Sequence, residues 1–245
     1  MSKTENFKIY IPTCNNTIYL VEALLYSLKK YWYDYENYYI IILGYKHPKF
    51  DLEKNVTFHS MNEDDPVENW AVDLKKYFEN VSDKYFIYMN DDCPLSRKID
   101  SELLQLFCNI TSENENTKIG RINLTQDISN RGHNVVGDYE NFQVIESHQN
   151  AQYRTSTQFS IWSREYFLKY LKQNQTPWQF ELEHPKHDGY KILGTKHKYC
   201  LDFYHLNRIF GTPDNWNVSC YEKTKLEDNI DDYNFIKSVM NKGDS

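Results

Sequence analysis

Two adjacent carboxylates, Asp91 and Asp92, follow the apolar run YFIYM at residues 85–89 after a single asparagine. Like charges this close repel each other, so both stay ionised only beside a cation, within a hydrogen-bond network or in open water. A hard divalent cation prefers oxygen ligands and commonly bridges one or two carboxylates to substrate phosphates. The pair therefore indicates a metal site, although the sequence Asn-Asp-Asp-Cys-Pro is also typical of a turn.

The elements that must position this pair alternate between strand and helix patterns. Strand-like runs occupy 7–13, 38–45, 56–61 and 85–89, and helical stripes occupy 19–32, 64–81 and about 101–111. Asn16 or Thr17 is the expected N-cap of the first helix. Such alternation predicts a mainly parallel α/β sheet, in which ligands bind at the carboxyl ends of strands. Thr13 and Asn15 follow the first strand, so they are candidates for nucleotide contacts as well as for helix capping.

The second half of the chain shows a different pattern. Strand-like runs at 118–124, 141–146 and 157–162 have no long helices between them, which predicts antiparallel additions to the sheet. Ser163 is a good N-cap for a helix that follows it. The segments 176–190 and 205–216 are interpreted as loops rich in aromatic and ionisable residues, and 222–245 as a charged tail with a weak helical stripe.

Composition excludes several classes of protein. The net charge of −7 and pI near 5.6 argue against general nucleic-acid binding. Mean hydropathy is −0.76, no apolar stretch approaches a transmembrane span, and the start lacks a signal core. Five cysteines without a CxxC pair indicate reduced thiols. We therefore expect a cytoplasmic protein. If the protein is viral, the expected compartment is the cytoplasm of the host. GxxxxGK[ST], GxGxxG and GxSxG motifs are absent.

Four segments resemble GT-A type glycosyltransferases, in particular a family-2-like group of bacterial and viral nucleotide-sugar enzymes. They are IYIPTCNN with the helix ending in KKYW, NWAVDLKKYFENVSDKYFIYMNDDCPLS, YRTSTQFSIWSREYF with its Ser-x-Gln-x-x-x-Trp pattern, and TPWQFELE. They span about residues 7–183 in the family's order. The sequence departs from the family at Cys93 and Pro94, where an aromatic pair often follows the acidic motif.

The resemblance implies a GT-A fold: a Rossmann-like α/β mixed sheet in one domain, 1–245, with a nucleotide-binding half (1–115) and an acceptor-binding half (116–245). It also implies roles for individual residues. The implied residues are Asp91, Asp92 and His205 as ligands of Mn²⁺ or Mg²⁺; Thr13, Asn15, Asp91, Arg121, Ser156, Gln158 and Arg208 for the nucleotide or donor; Trp178 for the acceptor; and Glu181 as catalytic base, with Glu183 and Asp188 as substitutes.

Each of these roles has a structural alternative. Ser156 and Gln158 are also suited to hydrogen bonds within a hairpin, and Glu181 to a solvated loop or an ion pair with Lys186. Trp178 and His205 are common packing residues. Arg121 and Arg154 are expected by default in surface ion pairs.

The expected function is metal-dependent transfer of a sugar from a nucleoside-diphosphate donor to a glycan or other hydroxyl acceptor. The expected nucleotide of the donor is UDP. A catalytic base at Glu181 predicts inversion at the anomeric carbon, while a retaining route stays open. One alternative is a sugar-1-phosphate nucleotidyltransferase, which normally needs a Gly-rich basic loop where this chain has PTCNNTIY. Another is a GT-A-like shell that binds a glycan or nucleotide without turnover. The oligomeric state, donor sugar and acceptor stay open.

Overall fold

The computed structural model describes residues 7–63, 67–113, 117–183, 185–210 and 225–243. The strands are β1 (Ile9–Pro12), β2 (Ile40–Gly44), β3 (Val56–Ser60), β4 (Tyr85–Tyr88), β5 (Ile119–Asn123), β6 (His133–Tyr139), β7 (Phe142–Ser147), β8 (Ser160–Ser163) and β9 (Lys191–Lys196). The helices are α1 (Leu20–Tyr31), α2 (Trp70–Glu79), α3 (Ser101–Glu113), α4 (Arg164–Tyr170), α5 (Pro177–Leu182), α6 (Leu206–Phe210) and α7 (Ile230–Gly243). The helices among these residues are too short or too polar to span a bilayer.

The strands form one sheet in the order β3-β2-β1-β4-β8-β5-β9-β7-β6. In its first half, β1 pairs in parallel with β2 and β4, and β2 pairs in parallel with β3. The chain adds β2 and β3 on one side of β1 and then returns to the other side with β4. The crevice at the carboxyl ends of β1 and β4 is therefore the topological switch point, where open α/β sheets bind ligands.

The second half of the sheet is largely antiparallel. β8 runs antiparallel to both β4 and β5, and β7 runs antiparallel to β6 and β9, while β5 and β9 are parallel. The predicted fold class, an α/β mixed sheet with antiparallel additions, is confirmed. Because Tyr88 lies opposite Ser160, the segment before β8 arrives at the same edge as the carboxyl end of β4.

Helices cover both faces of the parallel half. Ile9 and Ile11 point into a cluster with α1 and α3, whereas Tyr10 points into an aromatic cluster with α2, α4 and α5. Successive strand residues face opposite sides of a sheet, so this burial explains why β1, β2 and β4 are continuous apolar runs. α7 packs on α1 through a third cluster.

Four local predictions need correction. Parts of both expected loops are helical, as α5 and α6. The α5 helix begins with a capping box between Thr176 and Gln179. Strands β6 and β9 were not predicted. Helix α1 has Tyr19 at its N-cap without a side-chain bond, so neither Asn16 nor Thr17 caps it. The predicted cap at Ser163 is confirmed, since its side chain accepts from the backbone of Tyr166.

Candidate functional site

The carboxyl ends of β1, β4 and β5 meet the beginning of β8 at one edge of the sheet. Thr13 follows β1, and its hydroxyl donates to Oδ2 of Asp91 over 2.6 Å. Asn123, the last residue of β5, lies opposite Ser160, the first residue of β8. The predicted strand-end residues Thr13 and Asp91 therefore meet at the switch point between β1 and β4.

Asp91 is a carboxyl group whose charge is disfavoured by its surroundings. Burial, and then the charge of Asp92, raise the pKa of Asp91 to about 7, although hydrogen bonds from Thr13 and Thr17 act in the opposite direction. The hydroxyl of Thr17 also lies 3.3 Å from that of Thr13. The hydroxyls of Thr13 and Thr17 therefore face Asp91 rather than the first turn of α1.

Asp92 is enclosed by the C-terminal part of the chain. The side chain of Asn207 donates to Oδ2 of Asp92 over 2.6 Å, and Nδ1 of His205 lies 3.7 Å from the same oxygen. Two backbone hydrogen bonds, from Tyr204 to Pro94 and from Leu206 to Asp92, hold these segments together. His205 and the start of α6 are thereby placed beside the acidic pair.

The donor set fits a divalent cation. Asp91 and Asp92 offer carboxylate oxygens, which suit Mg²⁺ and Mn²⁺, and the imidazole of His205 lies beside Asp92. Asp91 accepts hydrogen bonds from the hydroxyls of Thr13 and Thr17 and from the backbone of Asp92, and these three donors are uncharged. A cation between the two carboxylates would offset their repulsion.

A third carboxylate, Glu181, reaches the same edge. Burial raises the pKa of Tyr88 well above its ordinary value, and the charges of Asp91, Glu181 and Asp92 add to this effect. Tyr88 ends β4 and is buried. The charges of the three carboxylates thus act on one phenol, a residue that the sequence analysis did not single out.

Glu181 is held by the loop that precedes β8. Its Oε1 accepts from the backbone nitrogen of Thr157 over 2.5 Å and from the hydroxyl of Thr157 over 2.7 Å. The hydroxyl of Thr155 donates to the carbonyl of Phe180 over 2.7 Å, which ties α5 to the same loop. Trp70 packs edge-on against Phe180, with ring centroids 5.5 Å apart. These contacts fix the direction of the Glu181 carboxylate.

Arg121 supports this loop from within the protein. Its side chain is fully buried and donates to Oγ of Ser160 over 2.8 Å and to the carbonyl of Tyr153 over 3.3 Å. It also pairs with Asp127 at 3.3 Å, and the side chain of Ser156 bonds Asp127 as well. Burial acts to raise the pKa of Asp127, but the charge of Arg121 lowers it. Arg121 and Ser156 are thus placed in the scaffold, and the surface ion pair expected for Arg121 is wrong.

The two substitute bases lie in ion pairs of their own. Asp188 accepts from buried Arg154 over 2.9 Å and from the hydroxyl of Tyr170 over 3.0 Å. The surface pair expected for Arg154 is therefore wrong, because both partners are buried. Glu183 pairs with Lys172 over 2.9 Å at the surface. Neither carboxylate enters the mechanism proposed below.

The remaining predicted residues border the site. Oδ1 of Asn15 accepts from the backbone of Lys46 over 3.1 Å, which links the loops after β1 and β2. Gln158 is half-buried before β8. Trp178 is 66% exposed on α5, three residues before Glu181, so it is a surface group rather than a core residue. The side chain of Arg208 lies outside the described part of the structure.

No protein-family model and no curated protein matches the sequence. Solved structures similar to this chain include HddC from Yersinia pseudotuberculosis, with 13% identity, coverage of 89% of this chain and 99% of that one, and a TM-score of 0.46. S. aureus TarS 1–349 shows 12% identity over 90% of this chain and 65% of its own, with a TM-score of 0.47. The galactosyltransferase LgtC in complex with donor and acceptor sugar analogs shows 10% identity over 71% and 69%, with a TM-score of 0.41. At these values the likenesses identify neither reaction nor substrate.

Proposed function

We propose that this protein is a metal-dependent glycosyltransferase that moves a sugar from a nucleoside-diphosphate donor, UDP-linked in the first instance, to a hydroxyl acceptor. The observation that carries the proposal is that the Asp91–Asp92 pair and Glu181 lie at one edge of the sheet. Thr13, directly after β1, binds Asp91 there, and Thr157, in the segment before β8, binds Glu181. The two adjacent carboxylates are suited to binding a cation, and the third, Glu181, is suited to accepting a proton. In this proposal residues 1–115 bind the nucleotide and residues 116–245 shape the acceptor pocket.

The donor side is formed by the strand ends. Asp91 and Asp92, with His205 beside them, would hold Mn²⁺ or Mg²⁺, which supplies Lewis acidity for the departing diphosphate. Thr13 orients Asp91 through its hydroxyl, and Asn207 orients Asp92 through its amide. These residues fix both carboxylates before a donor arrives, so little reorganisation is needed on binding.

The acceptor side is formed by α5. Thr157 engages Oε1 of Glu181 through two donors, which orients the carboxylate. As the acceptor hydroxyl attacks the anomeric carbon, its proton passes to Glu181, which acts as general base. A single displacement of this kind inverts the anomeric configuration. Trp178, exposed three residues earlier, offers a ring face to an acceptor sugar.

The proposal is tested with a panel of nucleotide sugars, with and without Mn²⁺, scored by thermal shift and by released diphosphate. We expect donor-dependent release in the wild-type protein and in Asp51→Asn, an exposed control carboxylate. Asp92→Asn should abolish the Mn²⁺-dependent part of this diphosphate release. Glu181→Gln should lose about 10²–10⁴-fold in rate, the usual contribution of a general base.

Two other outcomes would replace the proposal. Release of pyrophosphate from a nucleoside triphosphate and a sugar 1-phosphate would identify a nucleotidyltransferase. Nucleotide binding without turnover of any donor would identify a binding shell. Equal activity in wild type and Asp92→Asn would exclude the assigned metal site.

A further inference from the structure

Asp92 has neighbours of a chemistry that differs from that of Asp91. The thiol of Cys93 lies 3.2 Å from Oδ1 of Asp92, and Nδ1 of His205 lies 3.7 Å from Oδ2. One donor atom from each of the three side chains lies within 4.8 Å of the other two. In a tetrahedral zinc site, bond lengths of about 2.0–2.3 Å separate neighbouring ligand atoms by roughly 3.3–3.6 Å. The 3.2 Å and 3.7 Å contacts of Asp92 are close to this spacing, so the three side chains can converge on one small ion with a small adjustment.

We infer that Asp92, Cys93 and His205 form a site for a thiophilic divalent cation, Zn²⁺ by its chemistry. A thiolate and an imidazole favour Zn²⁺, whereas Mg²⁺ and Mn²⁺ prefer carboxylate and other oxygen ligands. Affinity for nitrogen, oxygen and sulfur ligands also rises from Mn²⁺ to Zn²⁺. The site differs from the proposed Mn²⁺ site by its sulfur ligand and shares Asp92 and His205 with it.

The surrounding structure holds the three ligands in place. Cys93 is fully buried directly after Asp92, and the backbone hydrogen bond from Tyr204 to Pro94 fixes the segment that carries His205. Asn207 donates to Asp92 over 2.6 Å, as outer-shell partners of metal ligands commonly do. His205 is the more exposed side, with 20% of its side chain accessible. A thiol that only fills the core would need none of these polar neighbours.

A functional consequence follows, and it rests on the proposed function. Because Asp92 belongs to both ligand sets, Zn²⁺ and Mn²⁺ cannot use it independently. Zn²⁺ should therefore suppress Mn²⁺-supported transfer, with competition between the two ions. Zinc availability would then regulate the enzyme through the site that carries its chemistry.

Metal binding is tested first on the protein alone, with Co²⁺ as a spectroscopic substitute for Zn²⁺. We expect one equivalent of Co²⁺ to produce a thiolate-to-cobalt charge-transfer band that Zn²⁺ removes. Cys93→Ser should abolish the band, and Cys108→Ser, a thiol on α3, should keep it. His205→Gln should keep the thiolate band and shift the ligand-field bands. Zn²⁺ affinity should fall by roughly 100-fold in Cys93→Ser, since even outer-shell changes cost about 10–100-fold.

The inference is overturned if Co²⁺ binds without a thiolate band, or if the band persists in folded Cys93→Ser. Thermal unfolding shows whether each variant is folded. These results are independent of turnover, so an inactive protein that shows the band refutes only the proposed function. In an active protein, each variant's Zn²⁺ inhibition is compared with its own rate without zinc. Inhibition unchanged in Cys93→Ser would contradict the regulatory step.

Discussion

The two halves of the sheet position their functional groups in different ways. In the parallel half, Thr13 follows β1 directly and Asp91 lies three residues after β4, so the pairing of these buried strands brings the two residues together. In the antiparallel half, Glu181 lies on the six-residue helix α5. The loop before β8 holds this carboxylate through a hydrogen bond from the backbone of Thr157. That loop depends on two fully buried arginines, Arg121 and Arg154, each paired with an aspartate.

Different forces therefore maintain the two parts of the site. Apolar burial places the strand ends, and its free energy is spread over many side chains. Buried ion pairs place the loop, and removing one partner leaves the other charge unpaired in a medium of low dielectric constant. We therefore expect single changes of charge to destabilise the antiparallel half and single cavities to destabilise the parallel half.

The largest expected effect on stability is that of Asp188→Asn. This change leaves the guanidinium of Arg154 buried without its counter-charge, although the hydrogen bonds to backbone carbonyls persist. Loss of one partner of a buried pair should lower the free energy of unfolding by about 3–5 kcal/mol. Urea denaturation measures this loss.

The exposed pair of Lys172 and Glu183 provides the control. Lys172→Met should change the free energy of unfolding by less than about 1 kcal/mol, as solvent-exposed ion pairs usually do. Equal effects of Asp188→Asn and Lys172→Met would contradict the view that buried charges hold the second half together.

In the parallel half, the corresponding change is Leu24→Ala. Leu24 is fully buried on α1 in the core cluster against β1 and β2, so its loss leaves a cavity. The free energy of unfolding should fall by about 2–5 kcal/mol. Leu25→Ala, at the next and only partly buried position, should cost less. Added salt should leave the difference between these variants unchanged, and a strong salt dependence would refute the distinction between the halves.

The sequence predicted the parallel half well because its signals are local. Strands buried on both faces are continuous apolar runs, and α1, α2 and α3 show a clear helical period. Asp91 and Thr13 were identified because strand ends of a parallel sheet share one edge. In the structure, Thr13 and Asp91 are in contact through a hydrogen bond.

The second half was harder to predict because its signals are weak or long-range. β6 is an exposed edge strand with an irregular register near Val135 and Gly137, so it lacks alternation. Helix α5 has only six residues, and its capping box was present in the sequence but not recognised. The partners Thr157 and Asn207 lie 24 and 115 residues from the carboxylates they bind. No spacing rule connects residues across such distances.

A smaller effect, on turnover, is expected from Thr157→Val. The change removes the hydroxyl that donates to Glu181 and keeps the backbone donor. A hydrogen bond to a charged group contributes about 1.5–3 kcal/mol, so kcat should fall roughly tenfold to hundredfold. Thr157→Ser keeps the hydroxyl and should restore kcat, which a merely structural role would not require. A change confined to the donor KM would assign Thr157 to binding instead.

The smallest effect is expected from Thr13→Val, on the other side of the site. Loss of the hydroxyl that orients Asp91 should weaken Mn²⁺ binding by about tenfold, the lower limit for outer-shell partners. At saturating Mn²⁺, kcat should stay near the wild-type value, and Thr13→Ser should bind Mn²⁺ normally. Thr13 and Thr157 contact different carboxylates, so their effects should add in the double variant. If, at subsaturating Mn²⁺, the turnover rate of the double variant is no lower than that of Thr157→Val alone, the two halves act as one coupled unit rather than as separately maintained parts.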